Sequence, residues 1–308
     1  MALKTKDMLG LKGVSAQTIT EILDCAQTMK SVLHSSSKRT PHLAGKSVIT
    51  LFYENSTRTR TSFEMASKYM GAASANIAAS SSSVAKGETL IDTGKNLDQM
   101  GTDVIIIRHP MGGAPHLLAK NVNASVINAG DGMNEHPTQA LLDMYTMRDH
   151  FGGIDGLKVA IVGDVFHSRV ARSNLYGLTT MGAEVRLCGP STLLPQEFRA
   201  AGALVTNDVR EAVDGADVVM ALRIQRERQQ AGLFPSVREY GRFFGINGEV
   251  LRCAKPGALV MHPGPVNRGV ELDSATADCG QSVIYEQVGN GVAVRMALLY
   301  LITRRSEQ

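Results

Sequence analysis

Ser56-Thr57-Arg58-Thr59-Arg60 places hydroxyls and guanidinium groups in consecutive residues, directly after an apolar run and ahead of a helical pattern. A helix that starts there offers unpaired N–H groups and a positive dipole end, the hydroxyls add donors, and Arg58 adds a planar fork, a set suited to phosphate. The competing reading is a capped surface helix with solvated arginines; the position between a buried strand and a helix favours phosphate. Arg108-His109-Pro110 closes another apolar run, at the carboxyl end where open α/β sheets bind ligands, although an exposed strand-end arginine accounts for Arg108 equally well. His136-Pro137-Thr138-Gln139 follows the Gly130-Asp131-Gly132 turn; a histidine there can donate to a carbonyl oxygen, with Gln139 close by one turn later. Gly163-Asp164-Val165-Phe166-His167-Ser168-Arg169 and Arg223-Ile224-Gln225-Arg226 bring further arginines to strand ends and point to an anionic substrate. His262-Pro263-Gly264-Pro265 is a stiffened turn whose backbone carbonyls can face a ligand.

These groups need elements to hold them. Ser15 can cap a helix carrying Ile19, Ile22, Leu23, Ala26, Met29 and Leu33 at helical spacing. Ser47 to Tyr53, Asp103 to Arg108 and Ser125 to Asn128 read as strands, and Ser56 to Met70 as a helix. Pro137 suits the first position of a notably apolar helix containing Ala140, Leu141, Leu142, Met144, Tyr145 and Met147. Beyond a glycine-containing break, Leu157 to Val162, Ser168 to Met181 and Glu184 to Cys188 form a βαβ unit. Val218 to Leu222 and Ala258 to His262 add strands, and Gly291 to Ile302 a final apolar helix. Alternating strands and helices predict an α/β protein of two domains, each a parallel sheet flanked by helices. The expected domains are residues 1–135, with a helix at 289–305 returning to them, and residues 150–288, joined by a connecting helix at 136–149. Ser80 to Ser83 reads as a loop.

A chain of 308 residues accommodates two cores. A formal charge of only +3 argues against a nucleic-acid binder. Cys25, Cys188, Cys253 and Cys279 form no C-x-x-C pair, which argues against zinc and dithiol redox sites and for free thiols in a reducing cytoplasm. No metal and no cofactor is expected. Neither a secretory leader nor a membrane span is read from the sequence, and the protein is expected to be cytoplasmic. The first turn of the βαβ unit is not G-x-G-x-x-G, so a nicotinamide dehydrogenase has little support.

Taken together and in this order, Ser-Thr-Arg-Thr-Arg, His-Pro-Thr-Gln and His-Pro-x-Pro resemble the carbamoyltransferase family over nearly the whole chain. The segments from Arg223 and from His262 to Glu271 are similar to those of members that accept aspartate; the Ser-Met-Gly and His-Cys-Leu-Pro motifs of the ornithine members are not found. The resemblance implies that Ser56, Thr57, Arg58 and Thr59 hold the phosphate of carbamoyl phosphate. It implies that Arg108, His136 and Thr59 contact the carbonyl oxygen, Gln139 the amide end, and the Gly264 and Pro265 carbonyls the carbamoyl NH2. Arg169 and Arg223 would bind the carboxylates of aspartate, supported by Gln225. Lys86, with Ser82 or Ser83, would reach the site of a neighbouring subunit in a homotrimer. A regulatory chain or another enzyme of pyrimidine synthesis is left open as a partner. The loop departs from a familiar form of the family in having Ala85, not a second lysine, before Lys86; Gly264 stands where some relatives have leucine. A carbamoyltransferase with another acceptor, and a non-catalytic protein that keeps the fold, are the remaining alternatives.

Overall fold

The computed structural model describes residues 3–78, 86–224 and 236–304. Its helices and strands run α1(Ala16–His34), β1(Ser47–Phe52), α2(Thr57–Tyr69), β2(Ala73–Ala78), α3(Leu90–Gln99), β3(Val104–His109), α4(Ala114–Ala119), β4(Ser125–Asp131), α5(Pro137–Phe151), β5(Lys158–Val162), α6(Arg169–Thr180) and β6(Glu184–Cys188). Two short 3-10 turns follow, then β7(Leu204–Thr206), α7(Val209–Val213), β8(Val218–Ala221), α8(Val237–Phe244), α9(Gly248–Leu251), β9(Leu259–Met261), α10(Ser274–Ala277) and α11(Ile284–Thr303). The chain forms two compact units: Met1–Tyr145 with Val288–Gln308, and Thr146–Gln287. The divisions fall inside α5 and α11.

Unit 1 holds a parallel sheet of order β2-β1-β3-β4. Its central strands are apolar because both faces are covered: Ile105 and Ile107 pack with Leu51, Leu97, Leu118 and Val126. The chain near Met8 adds to the β4 edge, Met8 N–H donating to the Val126 carbonyl at 2.9 Å. Unit 2 holds a parallel sheet of order β7-β6-β5-β8-β9 over a core that includes Val162, Val219, Ala221 and Val260.

Both orders reverse direction once. In unit 1 the chain moves outward from β1 to β2 and returns to the other side of β1 as β3; in unit 2 it moves from β5 through β6 to β7 and returns beside β5 as β8. At such a switch point the loops leave in opposite directions and open a crevice beyond the strand ends. The crevices therefore lie beyond β1 and β3 in unit 1, and beyond β5 and β8 in unit 2.

Candidate active site

The first crevice receives Ser56 to Arg60 from β1 and Arg108 from β3. Ser56 is the N-cap of α2, yet its side chain makes no capping hydrogen bond. First-turn N–H groups have no partner within the helix itself, and here Thr57 and Arg58 are exposed with Thr59 buried beside them. Arg108 is only 15% exposed at its side chain; its Nε lies 3.3 Å from Glu54 Oε2 and Nη1 donates to the Ala129 carbonyl at 3.4 Å. These two contacts restrict the orientation of the guanidinium plane.

His136 and Gln139 come from the start of α5, and the turn before them is built around Asp131. That fully buried carboxylate accepts from Gly113 N–H (2.7 Å), Asn128 Nδ2 (2.8 Å), Asn134 Nδ2 (3.0 Å) and Glu135 N–H (3.1 Å). Gly132 has φ +51°, and a Cβ there would sit 2.7 Å from the Pro110 carbonyl oxygen, so glycine is required. His136 is buried beside Thr138. Gln139 Nε2 donates to Asp143 Oδ1 at 2.9 Å, which turns its amide oxygen away from that carboxylate as an acceptor.

Asp143 is wholly buried and acts electrostatically on Arg295 of α11. Burial pushes the Arg295 guanidinium down to about 10, with the charge of Asp143 opposing that fall. Arg295 Nη1 donates to Ser62 Oγ of α2 at 2.5 Å, and its guanidinium lies 5.1 Å from the Phe63 ring centroid. A buried cation thus links α2, which follows the Ser56 turn, to the helix carrying Gln139. Sequence reading missed Asp143 and Arg295. The only signal was a single charged residue inside each of two apolar runs, 140–147 and 291–302.

Lys86 is exposed and precedes an anchored segment: Glu88 accepts from Thr93 Oγ1 (2.9 Å) and Asn96 Nδ2 (2.8 Å), and Thr89 caps α3. Ser82, Ser83 and the loop expected around them lie outside the described residues, as does Gln225.

In unit 2, Arg169 opens α6 and is 3% exposed. Unlike Ser56, Ser168 caps its own helix, accepting from Ala171 N–H at 3.1 Å. His167 Nδ1 lies 2.9 Å from Asp164 Oδ2, both residues buried. Arg223 follows β8 and is half-buried. Gly264 and Pro265 form the turn after β9, joined by a cis peptide bond. Behind these strand ends stands Tyr240, whose hydroxyl burial pushes well above the usual range, Glu271 and Asp164 adding to the rise. The fully buried pairing of His262 with Glu271 was also missed in the sequence, where His262 was read as a strand end and the start of a turn, and Glu271 as the end of the same segment.

Among the described residues, no group of three or more His, Cys, Asp or Glu could hold a metal ion, and no helix is long and apolar enough to cross a membrane. The four cysteines are free thiols; burial pushes Cys25 up to about 11 and Cys188 to about 12, which suppresses their thiolates.

Two parallel sheets, each with arginines beyond its strand ends, define a two-unit α/β protein, and family models match both units. Residues 6–149 match "Aspartate/ornithine carbamoyltransferase, carbamoyl-P binding domain", and residues 155–302 match the "Asp/Orn binding domain" of the same family. The chain belongs to the aspartate/ornithine carbamoyltransferase family. It is 67% identical over 305 residues to the aspartate carbamoyltransferase catalytic subunit of Ruminiclostridium cellulolyticum, covering 99% of this chain and 97% of the relative. The corresponding subunit of Acetivibrio thermocellus is 66% identical, with coverage of 99% and 98%. Among solved structures, aspartate transcarbamoylase from Trypanosoma cruzi in complex with carbamoyl aspartate and phosphate superposes with a TM-score of 0.88 at 30% identity, over 97% of this chain and 96% of that one. Ornithine carbamoyltransferase from Pyrococcus furiosus gives 0.87 at 30%, over 98% of each chain. Backbone shape alone therefore does not select the acceptor.

Proposed function

We propose that the protein transfers the carbamoyl group of carbamoyl phosphate to the amine of L-aspartate, giving N-carbamoyl-L-aspartate and phosphate. The observation that carries this reading is the contrast between two strand-end turns, one where Ser56 does not cap its helix and one where Ser168 caps its own helix beside buried Arg169. The first suits a phosphate, which can accept from several N–H groups at once. The second suits carboxylates, which take the bidentate fork of Arg169 and Arg223.

In this reading Ser56, Thr57, Arg58 and Thr59 hold the phosphate. Arg108, His136 and Thr59 donate to the carbonyl oxygen, and Gln139 with the Gly264 and Pro265 carbonyls accept from the carbamoyl NH2. The neutral amine of aspartate attacks the carbamoyl carbon, the C–N bond forms, and negative charge collects on the carbonyl oxygen. Three fixed donors meet that charge, and a single such donor is worth about a hundred- to a thousandfold in rate. The C–O bond to phosphate then breaks, and the leaving phosphate takes the amine proton. No dedicated general base is required, so His136 acts as a hydrogen-bond donor.

An ornithine acceptor would place a further cation beside Arg169 and Arg223, at a Coulombic cost that a dicarboxylate avoids. The assembly in this reading is a cytoplasmic homotrimer in which Lys86 serves the neighbouring subunit's site. Mixing inactive Lys86→Ala and Arg58→Ala chains should then restore activity; no recovery after confirmed subunit exchange would mean each chain carries a complete site.

The direct test of the site is titration with N-(phosphonacetyl)-L-aspartic acid, the compound bound in one of the T. cruzi structures. Because it joins a phosphonate to an aspartate, it should bind far more tightly than aspartate, and Arg58→Ala and Arg169→Ala should each weaken it. Binding no tighter than that of aspartate would contradict the reading.

A further inference from the structure

The turn proposed to meet the carbamoyl NH2 and the strand end that carries Arg223 share one buried carboxylate. His262 Nδ1 accepts from Gly264 N–H at 2.7 Å. A backbone N–H can only donate, so Nδ1 is bare and the ring hydrogen sits on Nε2. That nitrogen lies 3.1 Å from Glu271 Oε1 and donates to it. The same oxygen accepts from Asn267 N–H at 2.6 Å, and Glu271 Oε2 accepts from Asn267 Nδ2 at 3.2 Å. Asn267 Nδ2 also donates, at 3.4 Å, to the carbonyl of Ile224, the residue after Arg223. A single route thus runs from Gly264 through His262, Glu271 and Asn267 to Ile224. The His262 and Glu271 side chains are 0% and 1% exposed, so solvent does not replace a lost partner.

We propose that Glu271 is a positioning residue that orients two substrate-binding segments at once: the Gly264–Pro265 turn through His262, and the Arg223 strand end through Asn267. The inference rests on the roles proposed above for those segments. Glu271 touches no substrate in this account. Its two arms act on different substrates, and they can be cut separately.

In E271Q the new amide oxygen still accepts from His262 and from Asn267 N–H, but its NH2 now opposes the Asn267 NH2. Asn267 relieves that clash only by turning its oxygen toward the Ile224 carbonyl, so the Arg223 arm breaks while the turn arm survives. Asn267→Ala cuts the same arm from a half-buried position and tests it if E271Q folds poorly. His262→Gln does the reverse: its amide can still donate to Glu271, but the acceptor for Gly264 N–H is gone.

The experiment is steady-state kinetics of the full chain, with KM and kcat for both substrates and thermal unfolding as a control. E271Q and Asn267→Ala should raise the KM for aspartate about three- to tenfold, the worth of one hydrogen bond, with kcat little changed. His262→Gln should lower kcat or raise the KM for carbamoyl phosphate while leaving the KM for aspartate in place. A purely structural role would lower the active fraction, and so kcat alone, in all three variants; that result, or unchanged kinetics, overturns the proposal. A wild-type chain that does not carbamoylate aspartate would overturn the functional reading itself, whereas an active wild type with unaffected variants overturns only the role of Glu271.

Discussion

The turn from β1 to α2 and the turn from β5 to α6 look alike in sequence: each leaves a strand, reaches a serine and an arginine, and starts a helix. They are built differently. Ser168 bonds back to its own helix and Arg169 is buried, whereas Ser56 leaves its helix uncapped with Arg58 exposed. A cap and an anion compete for the same first-turn N–H groups. In the proposed reading, unit 1 leaves its first-turn N–H groups to a ligand, whereas in unit 2 Ser168 takes up the Ala171 N–H. The supports behind the two turns differ as well. A buried cation, Arg295, backs unit 1; two buried histidine–carboxylate pairs, His167–Asp164 and His262–Glu271, back unit 2.

The contrast in supports predicts the largest effect. Arg295→Ala removes the cation that acts on buried Asp143 and the donor to Ser62, and should destabilise the protein by about 3 kcal/mol or more, the scale of leaving a buried charge uncompensated. Urea unfolding measures this; a loss below about 1 kcal/mol, the range of exposed pairs, would show that Arg295 is not the support it is taken for. Next, Arg58→Ala should cut kcat about a hundredfold or more with unfolding unchanged. Arg223→Ala should instead act on the aspartate requirement, raising KM by about tenfold or more, the scale of a charged hydrogen bond. If both variants lowered kcat alone, the division of labour between the units would fail. The smallest and most pointed pair is Ser168→Ala against Ser56→Ala. Losing a true cap should cost about 1 kcal/mol of stability, so Ser168→Ala should unfold more easily. Ser56→Ala should leave stability in place and weaken phosphate inhibition. The opposite pattern would erase the distinction between the two turns.

The elements that carry these turns were legible because their signals are local. Ser56 to Met70 and Ser168 to Met181 were read as helices, and α2 and α6 occupy those spans with the terminal residues as caps. The central strands were legible because burial on both faces makes them continuously apolar. Elements without that signature were missed. β2 reads Ala-Ser-Ala-Asn-Ile-Ala and is largely exposed at its sheet edge, so no apolar pattern marks it. α3 contains Gly94, a poor helix former whose reason is tertiary: a Cβ there would lie 2.3 Å from Leu118 Cδ1 of α4.

The candidate site divides in the same way. Ser56 to Thr59, Arg108, His136, Gln139, Arg169 and Arg223 stand at strand ends or helix starts, positions that sequence pattern can locate. Asp143, Arg295, Glu271 and Asn267 matter through partners brought to them by the fold, and Arg295 meets Ser62 across 233 residues. No window of sequence contains that relation. The choice of acceptor rested on short segments, and one of them continues into Gln225, outside the described residues.

The central claim is tested most directly by supplying the purified protein with carbamoyl phosphate and, in parallel, aspartate or ornithine, and identifying the carbamoylated product. The account predicts N-carbamoyl-aspartate and phosphate in equal amounts, with no product from ornithine. Carbamoylation of ornithine in place of aspartate would keep the phosphate turn of unit 1 and contradict the assignment of Arg169 and Arg223 in unit 2.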